Sequence, residues 1–106
     1  MDYVKRINET LHIGSDWGRV YEITGDIDFN NAYGRCKVRT MTDKLILEAE
    51  CTVDNNRLVV WIRSAESLKI NRKLLRGKYD VFLVTEAQTI KLVMGTMTFV
   101  PEVSMH

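Results

Sequence analysis

Two carboxylate pairs are spaced for acid–base or cation chemistry: Asp26 with Asp28, and Glu48 with Glu50. A separation of two residues puts both members on one face of a strand, where they could share a proton or hold calcium. The run Asp26–x–Asp28–x–Asn30 opens like a calcium loop. It lacks the glycine at the sixth position and the bidentate glutamate at the twelfth, so no metal is expected. Imidazole comes only from His12 and His106. His106 is the last residue, and His12 has no carboxylate nearby in sequence to orient it. The two thiols, Cys36 and Cys51, form no Cys-x-x-Cys pair and lie far in sequence from either histidine, which argues against zinc. Both read as free, buried small hydrophobes, and a bond between them would need paired strands in register. Asp80, between Tyr79 and Val81 in an apolar run, must be paired or hydrogen-bonded if buried. A loop amide or an arginine is the expected partner. No nucleophile stands with a base, so the chain is expected to be non-enzymatic and to need no cofactor.

The elements that must position these residues read as β. Tyr79–Val84 and Thr89–Val100 are two apolar, β-rich runs facing each other across Thr85–Gln88. In Arg35–Met41, Cys36, Val38 and Thr40 face one way and Arg35, Lys37 and Arg39 the other. Leu45, Leu47, Ala49, Cys51 and Val53 repeat with period two, opposite Glu48, Glu50 and Thr52. The basic stripe of the first strand is expected beside the acidic stripe of the second, with Thr42–Asp43 as the turn between them. Arg57–Ile62 is apolar on both faces, as in a central or interface strand. Asp54–Asn56 is its turn, and Arg19–Thr24 and Leu11–Ile13 are further strand candidates.

Between the strands, Gly14–Gly18 is turn chemistry. Gly25–Gly34 is a polar loop anchored by Ile27 and Phe29. Ser64 is expected to cap a short helical stretch that Arg76–Gly77 ends through a left-handed exit. Gly95, where the apolar parity changes, is expected to mark a bulge, and Pro101 to end the last strand. Residues 1–10 are expected to form an arm, flexible or partner-binding, or a first short strand. The pattern predicts one all-β domain over residues 1–106: an immunoglobulin-like β-sandwich of about seven short strands with one short helical connection near residues 64–76.

Fifteen basic residues against fourteen acidic ones give a net charge of +1. That balance predicts no long-range field for nucleic acid or membrane. The basic run Lys69, Arg72, Lys73, Arg76 and Lys78 beside Tyr79 is the one candidate for single-stranded nucleic acid. Flanked by Glu66 and Asp80, it reads instead as a solvated or partner-docking face. No segment has the apolar length of a signal peptide or a membrane span, and synthesis in a cytoplasm is expected.

Gly77–Lys78–Tyr79–Asp80–Val81 and the closing Gly95–Thr96–Met97–Thr98–Phe99–Val100–Pro101–Glu102–Val103–Ser104 carry a family resemblance. With the Gly14–Ser15–Asp16 turn, the Asp/Gly loop and Val60–Trp61–Ile62, they resemble the small β-sandwich modules of tailed bacteriophages. Those modules occur as N-terminal domains of upper baseplate or tail-fibre-attaching proteins and as free-standing neck or capsid-associated proteins. The resemblance covers about residues 11–104. It implies a virion structural role, docking onto other tail, neck or capsid subunits, often as an oligomer, with no catalysis. It also implies that Gly77, Tyr79, Asp80, Gly95, Pro101 and Val103 define the fold rather than act chemically. Trp17, Phe29, Tyr33, Arg72 and Arg76 are the interface candidates. The segment from Glu66 to Arg76 is longer and more basic than the family pattern. A small β-domain that regulates one host protein is the second reading.

Overall fold

A computed structural model describes residues 4–101; Val103 and His106 lie outside them. Among the described residues there are eight strands: β1 (Lys5–Arg6), β2 (Glu9–His12), β3 (Trp17–Glu22), β4 (Tyr33–Arg39), β5 (Leu45–Asp54), β6 (Arg57–Ile62), β7 (Arg76–Val84) and β8 (Thr89–Val100). One helical turn, α1 (Ser64–Ser67), joins β6 towards β7. The order across the sheet is β1-β8-β7-β4-β5-β6-β3, with β2 also on β8. The first half of β5 pairs with β4, from Leu45 to Ala49. The second half pairs with β6, from Glu50 to Asp54. The sheet therefore folds over at β5 into a larger layer (β1, β2, β8, β7, β4) and a smaller one (β6, β3). The chain is an all-β, immunoglobulin-like sandwich.

Strand alternation builds the core. Cys36 and Val38 of β4, Tyr79, Val81 and Leu83 of β7, and Val93, Met97 and Phe99 of β8 point inward from the large layer. Leu58, Val60 and Ile62 of β6 meet them from the small one. Each such side chain contributes roughly 1.5–3 kcal/mol by leaving water. Trp17 joins this core at 5% exposure, its ring edge-on to Tyr79 across the layers at 6.5 Å. It belongs to the interior, not to an interface as its sequence context suggested. Beside Trp17, Arg19 ties β3 of the small layer to β2 of the large one by donating to both Glu9 carboxylate oxygens at 2.9 and 2.6 Å.

The turns follow their residue chemistry. Asp43 and Asn55 adopt left-handed φ of 74° and 54° in the β4–β5 and β5–β6 turns, as asparagine and aspartate tolerate. Thr85 N–H donates to the Gln88 carbonyl at 2.8 Å, closing the β7–β8 hairpin. Ile27 and Phe29 pack the long loop against the core.

Three local expectations are corrected. Ser64 does not cap α1: Arg63 holds the cap position without a side-chain bond, and the carboxylate of the distant Asp16 accepts the Ser64 N–H at 2.7 Å. The fully buried Ser67 completes this docking, its hydroxyl accepting from Gly14 N–H at 2.8 Å. Gly77 is not a helix exit but part of β7. A Cβ there would overlap the Arg39 carbonyl oxygen and crowd the Phe99 ring at 3.2 Å. Gly95 is not the bulge either. The register slips between Val81 and Phe82, where Leu92 is the extra residue. Gly95 is where β1 and β2 cross most closely, and a Cβ would run into the Ile7 carbonyl oxygen.

That crossing is a latch. β1 and β2 run parallel to β8 on either side of Ile7–Asn8, so residues 5–12 take the strand alternative over an arm. Ile7 N–H donates to the Met94 carbonyl at 3.0 Å, and Tyr79 Oη donates to the Ile7 carbonyl at 2.6 Å. Asn8 Oδ1 accepts from both the N–H and the hydroxyl of Thr96, at 3.2 and 3.0 Å. Gly95 and Tyr79 thus share one task, holding the first strands against the last.

Candidate docking face

The same alternation that buries one face of the large layer loads the other with charge. Strand registers align three rows on it. Arg6, Met94, Asp80, Lys37 and Glu48 cross from β1 to β5. Thr96, Lys78, Arg39 and Leu45 lie on one side of that row, and Lys91, Phe82 and Arg35 on the other. A groove of about 590 Å³ opens here, lined in part by Arg6, Arg39, Lys78, Lys91 and Met94.

Three ion pairs occupy part of the face. Lys37 meets Glu48 at 3.6 Å, as the basic and acidic stripes predicted. Arg39 meets Asp80 at 3.6 Å, so the carboxylate expected to need a partner has an arginine. Lys78 meets Asp43 at 2.6 Å and holds that carboxyl below its ordinary range through a hydrogen bond. Exposed pairs of this kind are screened by solvent and add little to stability. Phe82 lies between two further cations, Arg35 at 5.0 Å and Lys91 at 5.6 Å from its ring centre. Six cations on these rows (Arg6, Arg35, Lys37, Arg39, Lys78 and Lys91) face three carboxylates (Asp43, Glu48 and Asp80). The excess of three exceeds the net +1 of the whole chain. The near-neutral composition therefore concealed a polarised molecule. The alternation of β4 and the register of β1, β7 and β8 collect the cations on one side.

The sequence candidates divide accordingly. Tyr33, 55% exposed opposite Val84, lies on this face at one end. Arg76, opposite Thr98, extends it by one row at the other. Phe29 is partly buried under its loop. Arg72 is exposed in the connection after α1, away from the three rows. Pro101 follows the end of β8. Tyr79 is buried, so the basic run beside it has no aromatic platform for a base. Phe82, Lys91 and Arg6 were missed, and Met94 was read only as a core or subunit-contact residue. Their signal was present as the outward parity of the last hairpin, but only the register makes them neighbours.

No acid–base cluster forms from the paired carboxylates. Asp26 and Asp28 line a shallow cleft with Thr85–Gln88, which does not include His12. His12 is exposed on β2. Glu48 and Glu50 are engaged by Lys37 and Arg63, the latter at 2.6 Å. Among the described residues no group of three or more His, Cys, Asp or Glu could hold a metal ion, and no helix is long and apolar enough to cross a membrane.

Cys36 and Cys51 are free thiols. Burial pushes Cys36 up to about 12 and Cys51 up to about 11 from an ordinary 9.0. Burial likewise raises Tyr21 to about 12, and Tyr79 further. Thiolate is the reactive form, so iodoacetamide at pH 8 is expected to label Cys36 only after denaturant unfolds the chain. These groups stay neutral in the fold but ionise in the unfolded chain near their ordinary values. Their contribution is complete below about pH 9 and lost as pH rises towards about 12. Denaturant midpoints measured across that range are expected to fall steadily.

No family model and no curated protein matches this chain. Among solved structures it is similar to the extracellular domain of the voltage-gated sodium channel beta4 subunit. The TM-score is 0.56 at 10% identity, over 97% of this chain and 98% of that one. That structure is described as a parallel homodimer explaining a role in cell–cell adhesion. At this identity the likeness concerns the fold: an immunoglobulin-like sandwich with the strand layers described above.

Proposed function

We propose that this chain is a non-enzymatic structural module of a tailed-bacteriophage particle, docking onto tail, neck or capsid subunits through the outer face of its large layer. The observation that carries the docking role is that face itself. It has an aromatic and a methionine near its centre, a groove and an excess of cations, three of them arginines; aromatic, methionine and arginine side chains are enriched at interfaces. The particle assignment is supported by the Gly77–Val81 and Gly95–Pro101 elements, which carry the resemblance to phage modules. In this chain they build the latch that holds β1 and β2. A contact between copies has the other layer available, where Val20, Val59 and Trp61 lie side by side on β3 and β6.

The test is mass spectrometry on gradient-purified particles of the phage that encodes the chain. Its peptides are expected in the particle fraction, at a copy number set by particle symmetry. Particles without it, with the chain left in the soluble fraction, would overturn the virion assignment.

A further inference from the structure

Building on the docking role, we infer that the partner of the large layer's outer face is an acidic protein surface of a different chain. Three cations carry the inference. Arg6, Arg35 and Lys91 make no salt bridge among the described residues, whereas Lys37, Arg39 and Lys78 each have a carboxylate. The three flank two apolar side chains near the middle of the face: Arg6 is in register with Met94, and Arg35 and Lys91 both lie over Phe82. An apolar centre ringed by unmatched cations fits a partner with an apolar anchor ringed by carboxylates.

A second copy does not fit. Face to face, two copies would set an excess of three positive charges against three more, and such like-charge contact opposes association. Nucleic acid does not fit either. Asp43, Glu48 and Asp80 are interspersed among the cations and would repel a continuous phosphate track. The Phe82 ring already carries two cations and offers no open platform for a base. A protein surface can place its own cations against those three carboxylates.

The experiment compares three proteins. They are the natural chain, the variant Arg6→Glu/Arg35→Glu/Lys91→Glu, and a control with the same charge change elsewhere, Arg57→Glu/Arg72→Glu/Lys73→Glu. Circular dichroism first establishes that all three fold. The probe is poly-L-glutamate at low salt, followed by backbone amide NMR shifts. Shifts are expected to centre on Arg6, Arg35, Phe82, Lys91 and Met94. Affinity should fall about tenfold or more in the face variant and less than about threefold in the control. An equal fall in both variants would reduce the effect to net charge and overturn the inference. Tighter binding of oligothymidine than of poly-L-glutamate would also overturn it, as would a dimer of the natural chain in sedimentation that the face variant abolishes.

Particle association separates this inference from the virion assignment. If natural chain and face variant associate with particles equally, the face assignment falls and the virion assignment stands. If neither associates, the virion assignment falls, and the glutamate titration alone decides the face.

Discussion

Replacing Gly95 with valine is expected to destabilise the domain by about 3 kcal/mol or more. The first part of that loss is steric. A Cβ at this position overlaps the Ile7 carbonyl oxygen and lies 2.8 Å from the Ile7 carbonyl carbon. Both are backbone atoms, so no side-chain rotation relieves the overlap; the strands must separate. Overpacking of this kind costs roughly 1–3 kcal/mol even where neighbours can adjust. The second part follows from the separation. The Ile7 carbonyl loses the Tyr79 hydroxyl and the Asn8 side chain loses Thr96. A buried hydroxyl left without its acceptor costs about 1–3 kcal/mol more. Hydrogen exchange locates the damage: amides paired between residues 5–12 and β8 should lose protection first, those of β4–β7 last. Tyr79→Phe removes the hydroxyl without the overlap and should reproduce a milder version of the same pattern. If Gly95→Val left stability and β1–β2 protection unchanged, the latch would have to be abandoned.

Trp17→Ala is expected to cost about 3–5 kcal/mol, the range for emptying a large aromatic site in a core. A domain of this size commonly has about 5–15 kcal/mol in total, so the variant would be close to unfolding at ordinary temperature. Trp17 also stacks edge-on against Tyr79, so the hole would lie between the two layers beside the latch. Trp17→Phe should cost much less. It keeps most of the ring and removes an indole N–H that is buried without a partner among the described residues, a group that is itself unfavourable. The measurement is denaturant unfolding followed by circular dichroism. A Trp17→Ala protein of natural stability that fails only to bind partners would restore the interface role its sequence context suggested.

Trp17 shows where the sequence was opaque. It follows Gly14–Ser15–Asp16 and precedes Gly18, so its neighbours read as a turn, and it lies just before the alternating residues that would have revealed its inward parity. The glycines were hidden for a different reason. A missing Cβ permits either a left-handed backbone or a close approach, and the residue type is the same in both cases. Gly77 and Gly95 make close approaches, to Arg39 and Ile7, partners far away in sequence. What could be read was local. The alternation of β4 and of β5 from Leu47 onward, the Asp54–Asn56 turn, the hairpin at Thr85–Gln88 and the Lys37–Glu48 pairing all depend on residues close along the chain. Leu45, expected to face inward with Leu47, is instead exposed on the outer face because the β4–β5 register slips there. The candidate face was legible strand by strand, as Arg35, Lys37 and Arg39 on one side of β4. Its excess charge was not, because Arg6, Lys78 and Lys91 join those three cations only through the order β1-β8-β7-β4.

The pairing of β1 and β2 with β8 has a consequence for synthesis. Asn8 finds its hydrogen-bond partner Thr96 88 residues later, and Lys5 aligns with Val93. On the ribosome, residues 5–12 emerge well before β8 and wait for it, because β8 is the strand they pair with. The β4–β7 strands can assemble while translation continues, but the outermost ribbon of the large layer cannot zip up until β8 has left the exit tunnel. Closing so long a loop is entropically costly and slow. During that interval the edge of β7 that pairs with β8 is open and Tyr79 lacks its Ile7 partner, so a nascent chain stalled before residue 89 would be the species most prone to aggregate or to recruit chaperones.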